Sequence, residues 1–293
     1  MEKKIFKNGV LLLLFLFSSC DKIKIFKKNS IPEYSSVPEA FFISDANLKE
    51  ISGICESYNL TDHLWIHEDG PNINEIKLTD KKGVLSGKLK LPFSFRDVED
   101  IAIGSGPLEG KNYIYLADTG DNNMVYNEYT IYRFQEPEAP ESELSDEQIE
   151  FIKFTYPDGS HDTECILLDP VTNDIYLVTK REAKVGLYKL AYPQDTRNAQ
   201  KATFVQQIPL TYITSGGISS DGNQIALMSY TAIFVWNRKQ KETISQTLLQ
   251  DYTFLPYIFL PQGEAFCFTK DTDGYYTSGE SAKPKFDFYK RKK

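Results

Sequence analysis

The 293-residue chain is short of the side chains that carry most recognisable chemistry: it has 3 His, 4 Cys, 3 Met and 2 Trp. His63, His67 and His161 are too few and too scattered for a zinc site of known ligand spacing. His67 stands beside Glu68 at a strand end, where it is a candidate general base or a hydrogen-bonded histidine with no further role. Beyond Cys20 only Cys55, Cys165 and Cys267 remain, an odd number that excludes a disulfide framework. All three lie in apolar strand runs and read as buried thiols acting as small hydrophobes. No nucleophile elbow, Walker motif or phosphate-cradling Gly-rich loop is present. Basic charge is also scarce, with 33 Lys and Arg against 41 Asp and Glu. Without residues 1–19 the balance is 30 to 40, or −10, which argues against nucleic acid as a partner.

What is present begins with a leader. Lys3, Lys4 and Lys7 precede the apolar run Val10–Phe17, then Ser18, Ser19 and Cys20. This is the layout of a secretory signal, and a run this short cannot span a hydrocarbon layer that needs about 20 residues. Phe17-Ser18-Ser19-Cys20 resembles the lipobox of bacterial lipoproteins, although Phe17 stands where Leu is more usual. The resemblance implies that residues 1–19 are removed and Cys20 is acylated. Residues 20–36, with Lys22, Lys24, Lys27, Lys28 and Pro32, then read as a flexible tether whose charge suits anionic headgroups. A lipid-anchored protein of the cell envelope is expected, facing the periplasm rather than the outer surface, because only Asp21 supplies acid after the cysteine.

Tyr and Phe are plentiful, 18 and 19, and favour strands. One short segment recurs: Ser52-Gly-Ile54, Glu99-Asp-Ile101, Glu164-Cys-Ile166, Gly216-Gly-Ile218 and Glu264-Ala-Phe266. The last residues of these segments are about 47 to 65 positions apart, the period of four-stranded propeller blades. Each is followed by a turn and further strands, so residues 37–293 are predicted to form a single all-β domain, a β-propeller of five blades. The segment Ala40–Ser44 would supply the missing outer strand of the last blade and close the ring. Six blades is the alternative, if residues 135–158 or 237–262 hide a degenerate unit, and a β-sandwich is a more distant one. Residues 135–148, with five Glu and two Pro, are expected to loop out from a blade edge, and Thr243–Leu249 to form a weak fourth strand.

In a propeller the innermost strands start together near one mouth of the channel. Glu99, Glu164 and Glu264 should therefore converge, joined by oxygen groups after the second strands: Glu68, Asp69 and Asn72, then Asp118, Asp121 and Asn122, and Glu280. Converging carboxylates must titrate upward, pair with Lys or Arg, or bind a cation. Glu99, Asp118, Asp121, Asn122, Glu164 and Glu264 are the candidate metal ligands, and hard oxygen groups suit Ca²⁺. The competing reading makes the Asp and Asn turn formers and the Glu partners of backbone amides.

The ordered set Ile-Ser-Gly-Ile (51–54), Trp-Ile-His-Glu-Asp-Gly (65–70), Glu-Asp-Ile-Ala (99–102), Asp-Thr-Gly-Asp-Asn (118–122), Asp-Thr-Glu (162–164), Val-Thr-Lys (178–180) and Gln-Gly-Glu-Ala (262–265) resembles secreted bacterial β-propellers of unassigned function. More remotely, the repeated acidic strand is similar to that of phytase-like and esterase-like propellers, which use Ca²⁺ to hold phosphate or ester substrates. That resemblance implies Glu99, Glu164 and Glu264 as metal or water ligands and Lys180 as an anion contact; with His67, named above for its place beside Glu68, the catalytic candidates are His67, Glu99, Glu164 and Lys180. Val98 stands where the nearer relatives tend to have Trp, and no Arg occurs between the Asp-Asn turn and Arg133. Two functions are expected on these grounds. One is an anchored propeller that binds a small anionic ligand or a protein partner on its channel face, with Ca²⁺; the other is a Ca²⁺-dependent phosphoester or ester hydrolase.

Overall fold

The structure, a computed structural model, describes residues 32–70 and 73–292. The leader, Cys20 and the tether as far as Ile31 lie outside the described residues, as does Asn72. Five antiparallel sheets stand in a ring, so the fold is the five-bladed β-propeller that the repeat predicts. Blade 1 runs Ile51–Glu56, His63–Glu68, Glu75–Asp80 and Leu85–Lys90. Blade 2 is Val98–Ser105, Asn112–Asp118, Tyr129–Gln135 and Glu150–Thr155. Blade 3 is Thr163–Leu168, Ile175–Thr179, Val185–Leu190 and Thr203–Ile208. Blade 4 is Ile213–Ile218, Gln224–Ser229, Ile233–Asn237 and the short Thr253–Leu255. Blade 5 is Gln262–Phe268, Gly274–Glu280 and Lys285–Lys290, with Glu39–Phe42 paired antiparallel along its outer edge.

Each innermost strand packs against the innermost strands of the blades on either side, and the inter-blade seams hold the core. Blades 1 and 2 enclose Trp65, Leu89 and Phe134, whereas blades 3 and 4 enclose Leu187, Leu227 and Trp236. At about 1.5–3 kcal/mol for each large apolar side chain fully buried, these seams supply the main drive to form the ring. Tyr34, in the stretch read as tether, is itself buried at the seam of blades 4 and 5, where its hydroxyl donates to Gln224 Oε1 at 2.8 Å.

Three expectations change. The segment 135–148 does not merely loop out: Glu141–Glu143 adds a parallel strand to the outer edge of blade 1. Thr243–Leu249 is not a strand, because Thr243 caps the short helix Ile244–Leu248; its hydroxyl accepts from the Gln246 amide at 3.2 Å and the Gln246 side chain accepts from the Thr243 amide at 2.9 Å. Neither region hides a sixth blade. The third change concerns register. Every innermost strand carries an irregularity at the same place, and the extra residues are Ser52, Glu99, Glu164, Thr214 and Glu264. In blade 4 the residue equivalent to Ile54 is therefore Gly216 rather than Ile218, a slip of two residues that keeps the facing alternation of the strand and so escapes the apolar pattern.

Candidate functional site

The bulge explains why the site exists. An extra residue on one strand breaks the ladder locally and re-aims its side chain, and here it does so five times around one axis. In blades 1 and 4 the bulged residue is a hydroxyl that donates to the next blade, Ser52 to the Glu99 carbonyl at 3.2 Å and Thr214 to the Gly263 carbonyl at 2.8 Å. In the other three it is a glutamate. Two residues before the bulge stand Asp97 and Asp162, so blades 2 and 3 each bring an Asp-x-Glu pair to the mouth.

Two acidic triads result. Ligand oxygens of Asp69, Asp97 and Glu99 lie within 4.8 Å of one another, and so do those of Glu99, Asp162 and Glu164. Glu99 belongs to both. It is 4% exposed. Gly120 makes the crowding possible, because a Cβ there would run into the Asp97 and Glu99 carboxylates. Burial first, then the charges of Glu164, Asp69 and Asp97, hold the Glu99 carboxyl well above the usual range. Burial followed by Asp69 pushes Asp97 up to about 7, and burial pushes Glu164 up to about 8 against the pull of Lys180.

The other side of the mouth is solved differently. Lys180 reaches in from the end of the second strand of blade 3, pairs with Glu164, lies 3.8 Å from Glu264 Oε1 and stands 5.3 Å above the Tyr230 ring. Burial lowers its affinity for the proton, but Glu164 outweighs that and the affinity rises above the ordinary lysine value. Tyr230 donates to Glu264 Oε1 at 2.9 Å, while burial and then Glu264 push Glu280 up to about 7. One ammonium thus serves Glu164 and Glu264, Arg181 serves Asp162 at 2.5 Å, and among the described residues no ion pair reaches the Asp69, Asp97 and Glu99 triad.

The remaining predicted residues have other occupations. Asp118 accepts from the Arg96 and Asp97 amides at 3.1 and 2.8 Å and from the Tyr132 hydroxyl at 2.7 Å, so it clamps the loop that delivers Asp97. Asp121 accepts from the Val125 and Tyr126 amides and the Tyr129 hydroxyl, which hold its carboxyl low although burial would raise it. Asn122 meets the Arg181 guanidinium, which also binds Asp162 Oδ2 at 2.5 Å. The Arg96 guanidinium lies 4.1 Å over the Tyr126 ring and 3.9 Å from Asp118 Oδ1. His67 is buried against Gly53, outside both triads, and burial pushes its ring down to about 4. Cys55, Cys165 and Cys267 are free and buried, as their apolar setting predicts.

Sequence reasoning chose Glu99, Glu164 and Glu264 but passed over Asp97 and Asp162 as ligands. The signal was the Asp-x-Glu spacing, which alternation places on one side of a strand and which occurs at the start of two successive blades. Asp100 was missed as well: fully buried between blades 2 and 3, it accepts from the Ile101 and Ile166 amides at 2.9 and 2.8 Å. Buried acids elsewhere are similarly satisfied. Glu136 takes Ser57, Trp65 and two backbone amides, and Asp169 takes Arg238 in a two-pronged pair at 2.7 and 3.0 Å. What the fold and the site define is a five-bladed propeller with an acidic channel mouth. No protein-family model matches the chain, and a search of curated proteins finds no match.

Proposed function

We propose that the acidic mouth holds a hard divalent cation, Ca²⁺ first among them, and that the loaded propeller binds an anionic ligand or partner there. The observation that carries this reading is the sharing of Glu99 by two triads whose oxygens approach within 4.8 Å. Calcium gathers six to eight oxygens at about 2.3–2.6 Å, so ligand oxygens up to about 5 Å apart can face one ion. Without it, Asp97, Glu99 and Glu164 avoid mutual repulsion only by keeping protons, as their raised affinities for them indicate. Lys180 adds a second positive charge beside the ion position.

The protein is read as lipid-anchored through Cys20 and facing the periplasm, on the strength of the leader and the cysteine alone. Hydrolysis of a phosphoester or ester is the second reading. It is favoured by Lys180, placed where an anion contact is needed next to the triads, and by acids with proton affinities near neutrality, the range a general acid or base needs.

Calorimetric titration of the chelator-treated protein with Ca²⁺ and Mg²⁺ tests the first reading. Saturable Ca²⁺ binding is expected, with stabilisation of about 2.7 kcal/mol at a hundredfold excess over Kd. Its loss in Glu99→Gln is required, and an unaltered titration in that variant rejects the site. Phosphatase and esterase assays with and without Ca²⁺ test the second reading, and labelling with radioactive palmitate, expected to vanish in Cys20→Ser, tests the anchor.

A further inference from the structure

The first and last described residues meet at one corner of the ring, where blades 4 and 5 adjoin. Tyr34 fills the seam there and forms an isolated antiparallel bridge with Arg291. The Ser35 amide donates to the Lys290 carbonyl at 2.7 Å and the Lys292 amide to the Glu33 carbonyl at 2.7 Å. This corner is turned away from the acidic mouth. The Arg291 amide and guanidinium donate to the Asp273 and Thr272 carbonyls at 2.6 and 3.4 Å, in the turn that joins the first two strands of blade 5 at the end opposite Glu264.

Two kinds of side chain stand exposed here. Lys290, Arg291 and Lys292 are consecutive and exposed, and among the described residues only Lys292 of the three makes an ion pair, at 3.6 Å to the exposed Glu33. Lys293 follows in the sequence, and Lys22, Lys24, Lys27 and Lys28 precede Pro32 within about ten residues. Eight cations therefore belong to this corner or to the chain joined to it, against Asp21, Glu33 and the nearby Asp221 and Asp273, on a protein that is acidic as a whole. The second kind is apolar. The Tyr34 ring lies 5.0 Å from that of Tyr275, which stacks on Tyr289 at 4.8 Å, and the Tyr289 hydroxyl accepts from the Ile258 amide at 2.6 Å. The loop held in this way leaves Ile258 and Phe259 45% and 59% exposed.

We propose that this corner is a docking surface for an anionic lipid bilayer, with the Lys and Arg side chains meeting the headgroups and Ile258 and Phe259 entering the interface. Apolar and cationic side chains set side by side suit that boundary, where rings and aliphatic stems are buried while charges stay hydrated. The reach of the chain favours the same occupant. Cys20 precedes Pro32 by about twelve residues, so an acyl anchor there holds the corner within about 40 Å of a membrane. Docked by this corner, the ring keeps its acidic mouth pointing away from the lipid and open to ligand. The inference rests on the anchored reading for the presence of a membrane, whereas the surface itself acts without the acyl group.

The test is vesicle sedimentation of the processed chain, residues 20–293 carrying Cys20→Ser, which contains the whole propeller and no lipid. Vesicles of phosphatidylglycerol and phosphatidylcholine in equal parts are compared with phosphatidylcholine alone. Binding to the anionic vesicles is expected, absent on the neutral ones and falling steeply with salt. At about fivefold for each basic residue near the surface, Lys290→Gln, Arg291→Gln and Lys292→Gln together should weaken binding about a hundredfold. Ile258→Ser with Phe259→Ser should weaken it about tenfold and leave the salt dependence unchanged. Both variants should unfold cooperatively and titrate Ca²⁺ like the parent, which separates this surface from the mouth. Equal binding of the parent to both kinds of vesicle, or affinity unchanged in the triple variant, overturns the proposal. So does a dimer that Ile258→Ser with Phe259→Ser dissolves, since the corner would then belong to a second copy of the chain. Loss of palmitate labelling with vesicle binding intact strikes the anchor and leaves the surface standing.

Discussion

The two ends of one channel, built from the same five strands, place opposite demands on the fold. At the mouth, Glu99, Glu164 and Glu264 are buried beside further carboxylates, with Lys180 between two of them. A few residues further along the same strands, Ile101, Ile166 and Phe266 are buried among apolar neighbours and ask for nothing. The apolar end repays the folding cost of the strands, whereas the acidic end adds to it. Acids gathered in one buried place lower stability unless they keep protons, pair with a cationic side chain or bind a cation.

If that division is right, cutting away the ammonium that Glu164 and Glu264 share should do most damage. Lys180→Met leaves Glu164 and Glu264 without their ammonium and is expected to lower unfolding free energy by about 3–5 kcal/mol at pH 7.5. Urea denaturation checks it, and the loss should shrink at pH 5, where Glu164, raised to about 8, is more fully protonated. At the apolar end, Ile166→Ala should cost about 2–5 kcal/mol through the space it opens, with no change in cation affinity.

Gly120→Ala probes the mouth sterically. Its added methyl displaces Asp97 and Glu99 and should cost about 1–3 kcal/mol, together with a loss of Ca²⁺ binding by calorimetry.

The pH dependence then separates the ends without mutation. Asp97 and Glu164, with folded values near 7 and 8, and Glu99, also raised, hold protons that the unfolded chain has released above about pH 4.5. The native state binds more protons there, so the cation-free protein should lose stability as pH rises from about 4.5 to 8, by at most about 1.4 kcal/mol per unit for each group. Saturating Ca²⁺ should flatten or reverse that slope, and melting curves across this range with chelator or Ca²⁺ provide the measurement. The smallest effect expected is a gain: Glu99→Gln should stabilise the cation-free protein by about 1 kcal/mol near pH 8, because an amide does not share the repulsion. A loss instead would mean that Glu99 is held by partners and that the contrast between the ends is misplaced.

Much of this was legible beforehand. Strand chemistry is local: alternating aromatics and β-branched residues, punctuated by Asp, Asn and Gly turns, return at a blade's period and announce a ring whatever fills its centre. The blade 4 register was not legible, because a slip of two residues leaves alternation intact, and Gly216-Gly217-Ile218 matched the motif better than Thr214-Ser215-Gly216 did. The capped helix at Ile244–Leu248 was hidden by an apolar pattern too short to tell a helix from a strand.

By itself, then, the sequence determined the five-fold repeat and the placing of acids at corresponding positions, because both follow from chemistry within a few residues of each strand. Only the tertiary structure decided which acids meet. The union of Asp69, Asp97, Glu99, Asp162 and Glu164 on one side and the capture of Lys180 by Glu164 and Glu264 on the other depend on ring curvature and bulge direction. Those bring together side chains from blades far apart along the chain, at distances that no local pattern encodes.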